Sequence, residues 1–128
     1  MDYKLSQLDT LIELHNDARI NRWLWKSVPL EKNSLLMSYA QKWANKMASR
    51  NLLFHSDMKD IMKLGFANVA ENIAYGSNSP ESVMKVWLNS SGHKKNILNS
   101  SMTDIGCGMS LSEHGKLYWC VCFAKRRA

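Results

Sequence analysis

Apolar side chains recur at helical spacing twice in the first half of the chain. Leu11, Leu14 and Ala18 mark one face of a helix over about 11–22, with Thr10 as its N-cap and His15, Asn16 and Arg19 beside that face. A stronger stripe, Leu36, Tyr39, Ala40, Trp43, Ala44 and Met47, predicts a helix over 35–50 capped by Asn33 or Ser34. Between them, 23–31 reads as a connection in which Pro29 sets an extended backbone. Residues 57–64 predict a single helical turn stopped by Gly65.

The pattern then changes. Residues 68–75 alternate in part, which predicts a strand broken by Gly76 and Ser77-Asn78. Ser79-Pro80-Glu81 supplies an N-cap, a proline at the first helical position and an acid in the first turn. That helix runs to about Asn89, with Val83, Val86 and Trp87 inward. Ser90-Ser91-Gly92 interrupts it, and His93 opens a last helical turn through Ile97-Leu98. Two runs, 105–111 and 116–124, flank the polar loop 112–115 and predict a β-hairpin. Helix, helix, strand, helix and hairpin place elements on both sides of a small sheet, an α+β arrangement.

If Leu111 pairs with Lys116, Cys107 falls opposite Cys120, near enough for a disulfide. The favoured expectation is that Cys107, Cys120 and Cys122 are reduced and pack as small apolar groups. Their spacing matches neither a zinc motif nor a dense disulfide framework.

A length of 128 residues, with 45% hydrophobic and 22% charged positions, predicts one globular domain over 1–128. No run reaches the roughly 18 apolar residues of a membrane span. The start, Met1-Asp2-Tyr3-Lys4, lacks the layout of a signal peptide. A net charge of +6 suits a solvated surface and permits attraction to anionic membranes or wall polymers. The basic tail Lys125-Arg126-Arg127 is expected to fray, and it is too short to argue for a nucleic-acid partner.

Chemistry concentrates in a few segments. These are His15-Asn16-Asp17-Ala18-Arg19, His55 after Leu53-Phe54, and Ala70-Glu71-Asn72-Ile73-Ala74-Tyr75-Gly76. Trp87-Leu88-Asn89-Ser90-Ser91-Gly92-His93-Lys94-Lys95-Asn96-Ile97-Leu98, Ile105-Gly106-Cys107-Gly108 and Tyr118-Trp119-Cys120-Val121-Cys122-Phe123 follow. In this order the set resembles the CAP superfamily, or SCP domain, of cysteine-rich secretory, antigen 5 and pathogenesis-related 1 proteins. The likeness covers about 8–124 and is strongest to the short bacterial-type branch.

The resemblance implies a three-layer α-β-α sandwich with a cleft on one side of the sheet. It also implies an extracellular or secreted location and a cleft tetrad of two histidines and two glutamates. His55, Glu71 and His93 match three tetrad positions, whereas the second glutamate falls at Ser90. The family's histidine pair implies zinc or another divalent metal at His55 and His93, a chemistry that two imidazoles and a carboxylate suit. The alternative is a hydrogen-bonded structural pair. Glu71 is either a catalytic general base, an acid orienting a ligating histidine, or an acceptor pinning a loop. Asn72 and Ser90 complete the expected cleft, Ser90 by hydrogen bonding or helix capping, since no nucleophile machinery surrounds it. His15 and Arg19 are expected to form a buried structural knot, and His114 to be solvated.

The expected function is a binding module for a small molecule, lipid or cell-surface polymer, assisted by a metal. The alternatives are a metal-assisted, peptidase-like hydrolase in the same cleft and a surface or adhesion protein acting through its basic face.

Overall fold

The computed structural model describes residues 3–20 and 28–127. In order, its elements are α1 (Tyr3–Ile20), β1 (Glu31–Lys32), α2 (Ser34–Arg50), α3 (Lys59–Met62), β2 (Asn68–Tyr75), α4 (Pro80–Leu88), α5 (Ser91–Ile97), β3 (Asp104–Leu111) and β4 (Leu117–Lys125). The sheet order is β1-β3-β4-β2, antiparallel except for the β1–β3 pair.

Because successive strand residues face opposite ways, β4 feeds two cores. Trp119, Val121 and Phe123 pack with α1, α4 and α5, whereas Tyr118, Cys120, Cys122 and Ala124 pack with α2 and Ile61 of α3. Helices therefore cover both faces of the sheet, the α-β-α sandwich that the family resemblance implies.

The α2 layer is held unusually close. Asn33 caps α2, accepting from Leu35 N and Leu36 N at 2.9 and 3.2 Å. Leu36, Ala40, Ala44 and Met47 then form its buried face. Gly106 and Gly108 of β3 lie directly beneath. A Cβ added at Gly106 would stand 2.2 Å from the Leu36 carbonyl carbon, and one at Gly108 would stand 2.4 Å from Gln41 Cα. Gln41 also closes the edge of β3 beyond the short β1: its amide accepts from Met109 N at 3.2 Å and donates to Met109 O at 2.7 Å.

Several expectations are corrected. Helix α1 begins at Tyr3, so Thr10 is not its cap; the Thr10 hydroxyl donates to Ser6 O at 3.1 Å from mid-helix. The expected end at 22 lies outside the described residues. The buried stripe is Leu8, Leu11, Ile12, His15 and Arg19. Glu31, expected to end the connection, instead begins a strand that continues at Lys32, pairing with Asp104 and Ile105. In α4, Met84 is buried and Val86 is exposed.

The hairpin loop is one residue longer than expected, with Leu111 opposite Leu117. Cys107 is therefore opposite Val121 and belongs to the α1 side, whereas Cys120 and Cys122 belong to the α2 side. The pairing that invited a Cys107–Cys120 bridge does not form, and all three cysteines are free and buried. The C-terminal tail is not frayed at Arg126 and Arg127. Arg126 Nε meets Asp104 Oδ1 at 2.8 Å, and Arg127 Nε donates to Gly65 O at 3.0 Å.

Candidate functional site

Asn51 ends α2 in the left-handed region, with φ 49°, and turns the chain back across the helix. Two α2 aromatics then fix the returning segment. Trp43 Nε1 donates to Phe54 O at 2.7 Å, and Tyr39 Oη donates to Asp57 O at 3.0 Å. His55 and Ser56 lie between these anchors, so their position follows from the helix stripe.

Both residues converge on Glu71 of β2. His55 Nδ1 is 2.8 Å from Glu71 Oε1, which also accepts from Ser56 N at 2.9 Å. Glu71 Oε2 accepts from the Ser56 hydroxyl and from the Cys120 thiol, the latter at 3.8 Å. Burial, followed by the hydrogen bond with Cys122, pushes the Cys120 thiol well above its ordinary pKa and keeps it a donor. The carboxylate is 1% exposed, while the His55 side chain is 61% exposed.

Asn72, the next residue, faces the other helical layer. Its Nδ2 donates to His93 O at 3.1 Å, and its Oδ1 accepts from Asn96 Nδ2 at 2.9 Å. Strand alternation thus sends Glu71 toward the α2 side and Asn72 toward α5. Since β2 is an edge strand, the two layers meet around it. Asn96 Nδ2 and Trp87 Nε1 donate to the carbonyls of Glu71 and Ile73 at 3.5 and 3.1 Å, covering part of that edge.

The result is an edge cleft of about 270 Å³ lined by His55, Glu71, Asn72, Ser90, Gly92, His93 and Asn96. All five cleft residues expected from the sequence line it. Ser56, Gly92, Asn96 and the Cys120 thiol were not foreseen. Gly92 and Asn96 stand within a segment already singled out, and Ser56 directly follows His55. Cys120 stands in a segment already singled out, but nothing in the sequence pointed to its contact with Glu71.

The His93 imidazole is held below its ordinary pKa, first by burial and then by the nearby His55. Its Nδ1 is buried with no hydrogen-bond partner among the described residues. Among those residues, the His/Cys/Asp/Glu group with ligand atoms within 4.8 Å of one another is Glu71, Cys120 and Cys122, behind the cleft. His55, Glu71 and His93 do not form such a closed triad. The two imidazoles, one anchored through Nδ1 and one with an unpartnered Nδ1, are the cleft side chains that could hold a metal ion.

His15 and Arg19 lie elsewhere, in the α1 core. His114 is exposed in the hairpin loop, and Glu81, exposed in the first turn of α4, does not line the cleft.

The family model for the cysteine-rich secretory protein family, CAP, matches residues 12–123. The Bacillus subtilis (strain 168) protein YkwD is 35% identical over 106 residues, 77% of this chain and 40% of that protein. The chain thus spans less than half the length of this curated relative. Among solved structures, an outer surface protein from Borrelia burgdorferi superposes with TM-score 0.80 at 24% identity, covering 99% of this chain and all of that one. An extracellular protein containing a SCP domain from Bacillus anthracis gives TM-score 0.80 at 23% identity, over 96% of this chain and 41% of that one.

Proposed function

The chain belongs to the CAP family of cysteine-rich secretory proteins, and from that premise we propose that it is a ligand-binding domain whose edge cleft holds a divalent cation, zinc first, between His55 and His93. The observation that carries the reading is the unpartnered, buried His93 Nδ1 in the same cleft as an imidazole anchored through its other nitrogen. Zinc accepts imidazole nitrogen readily, and a site with two protein ligands leaves positions open to solvent or ligand.

Glu71 acts in this reading as the orienting acid, fixing the tautomer and direction of His55. A general base needs a lone pair facing the reacting water. Both Glu71 oxygens already accept hydrogen bonds, and the group is 1% exposed. These facts favour binding over hydrolysis. The lining of imidazole, amide and hydroxyl groups suits a small polar ligand better than an acyl chain. Among the described residues, no helix is long and apolar enough to cross a membrane. The outer-surface and extracellular descriptions of two structural neighbours support a role outside the cell.

Zinc calorimetry tests the reading. The wild type should give a saturable heat that is lost in both His55→Ala and His93→Ala. Equal heats in the three proteins would overturn it.

A further inference from the structure

We propose that the ligand of this cleft presents a small oxyanion, a carboxylate or phosphate group, held against Ser90 and the two imidazoles. This inference rests on the binding reading above and specifies the chemistry of its ligand.

The first argument is charge. Among the described residues, Glu71 is the only acid lining the cleft, and its two oxygens accept from His55, from Ser56 twice and from Cys120. A carboxylate so engaged, and 1% exposed, gives no accessible negative oxygen to a bound cation. The remaining lining side chains are imidazole, amide and hydroxyl. Lys94 and Lys95, both exposed, follow His93 directly. A cation between the imidazoles would therefore hold charge that the cleft leaves largely uncompensated, and an anionic ligand group compensates it. Without a cation, Lys94 and Lys95 attract the anion against the buried Glu71 charge, and it binds more weakly.

The second argument is the state of the donors. Asn72 and Asn96 hydrogen-bond to each other, and Asn72 also donates to His93 O, so these amides brace the wall. Ser90 is different. It precedes α5 with φ −114° and ψ 122°, yet its hydroxyl makes no capping bond. Ser90 lines the cleft together with His55 and His93. A rotatable O–H beside two imidazoles is suited to receive anionic oxygen. The cleft, at about 270 Å³, is just below the roughly 300–1,000 Å³ typical of drug-sized ligands. It has room for an acidic head and a few attached atoms.

Calorimetry on the full chain separates the possibilities. Sodium acetate, inorganic phosphate and sodium octanoate are titrated into metal-free protein, and acetate and octanoate into zinc-saturated protein. Acetate and phosphate should bind the metal-free wild type, and acetate should bind about tenfold more tightly once zinc is present. Ser90→Glu, which brings a carboxylate to the cleft wall, should weaken acetate at least about tenfold in both states. Ser90→Ala should weaken it about threefold to tenfold. If melting shows that Ser90→Glu does not fold, Ser90→Ala carries the test. Octanoate binding like acetate assigns the site to a free small acid, and much tighter octanoate assigns it to a lipid-borne acid.

Normal zinc binding with no anion heat in either state would overturn the inference and leave the metal reading intact. Unchanged anion affinity in a folded Ser90 variant would also overturn it. Anion binding without zinc binding would remove the metal reading and retain this one.

Discussion

His55 Nδ1 and Glu71 Oε1 are 2.8 Å apart, joining an imidazole that is 61% exposed to a carboxylate that is 1% exposed. The acid is buried with its donors, while the ring it holds faces the cleft. Glu71→Gln keeps the shape but replaces one acceptor oxygen with an amide and removes the charge. It should therefore lower zinc affinity about 10-fold to 100-fold, the usual effect of losing a partner behind a metal ligand. Calorimetry on the folded variant checks this. An affinity within about twofold of wild type would remove Glu71 from the orienting role.

Arg19 is fully buried and satisfies carbonyls from distant parts of the chain. Its guanidinium donates to Val28 O at 3.0 and 2.7 Å, to Ile97 O at 3.0 Å, to Asn99 O at 2.9 Å and to Met102 O at 3.3 Å. The contacts tie α1 to the chain before β1 and to the segment between α5 and β3. Arg19→Met should cost at least about 3 kcal/mol, because several buried carbonyls lose their donors together. Arg19→Lys should recover little of this, since one ammonium does not reproduce the planar fork. Urea unfolding measures both. A loss below about 1 kcal/mol would mean that the carbonyls find other partners.

His15 gives a pH-dependent stability. Its ring is buried between Trp87 and Phe123, with centroids at 6.0 and 5.6 Å, and its Nδ1 is 2.8 Å from Leu11 O. Burial lowers its pKa to about 4; the Leu11 bond opposes the shift and Arg19 adds to it. The unfolded chain, with an ordinary imidazole near 6.5, binds the proton more readily. Stability from this residue is therefore complete above about pH 6.5 and is lost as pH falls toward 4, by about 3 kcal/mol in all. Urea unfolding of wild type and His15→Gln across pH 7 to 4 isolates the effect. The variant should lack that part of the acid loss, and parallel curves would refute the assignment.

The legibility of this chain follows the range of the interactions involved. Asn33 and Ser79 were readable as caps because capping is local, and each accepts a backbone N–H as expected. Strand 68–75 was readable from its alternation and flanking breakers. The start of α1 was not, because its first turns carry few apolar residues and Thr10 imitates a cap. Strand β1 has two exposed residues and exists only through pairing with Asp104 and Ile105. The hairpin slipped by one because Lys116, counted as strand, belongs to the loop, and one residue changes every cross-strand neighbour. In the cleft, residues in compact motifs were visible, whereas Cys120 reaches Glu71 only through the β2–β4 register.

The close approach of β3 to α2 makes a final prediction, in which two glycines of this chain should behave oppositely. At Gly106 an added Cβ would meet the Leu36 backbone at 2.2 Å, and neither a helix backbone nor a central strand can yield without moving the layer. Gly106→Ala should cost about 3 kcal/mol or more, or leave the protein insoluble. Gly92, in α5 on the cleft wall, has nothing within 4 Å of the corresponding position. Gly92→Ala should be neutral or stabilising by up to about 1 kcal/mol, because alanine loses less chain entropy in a helix. Thermal and urea unfolding of both variants decide the matter. A tolerated Gly106→Ala would show that the α2 layer can lift from the sheet, in which case the Trp43 and Tyr39 anchors would not hold His55 fixed over Glu71.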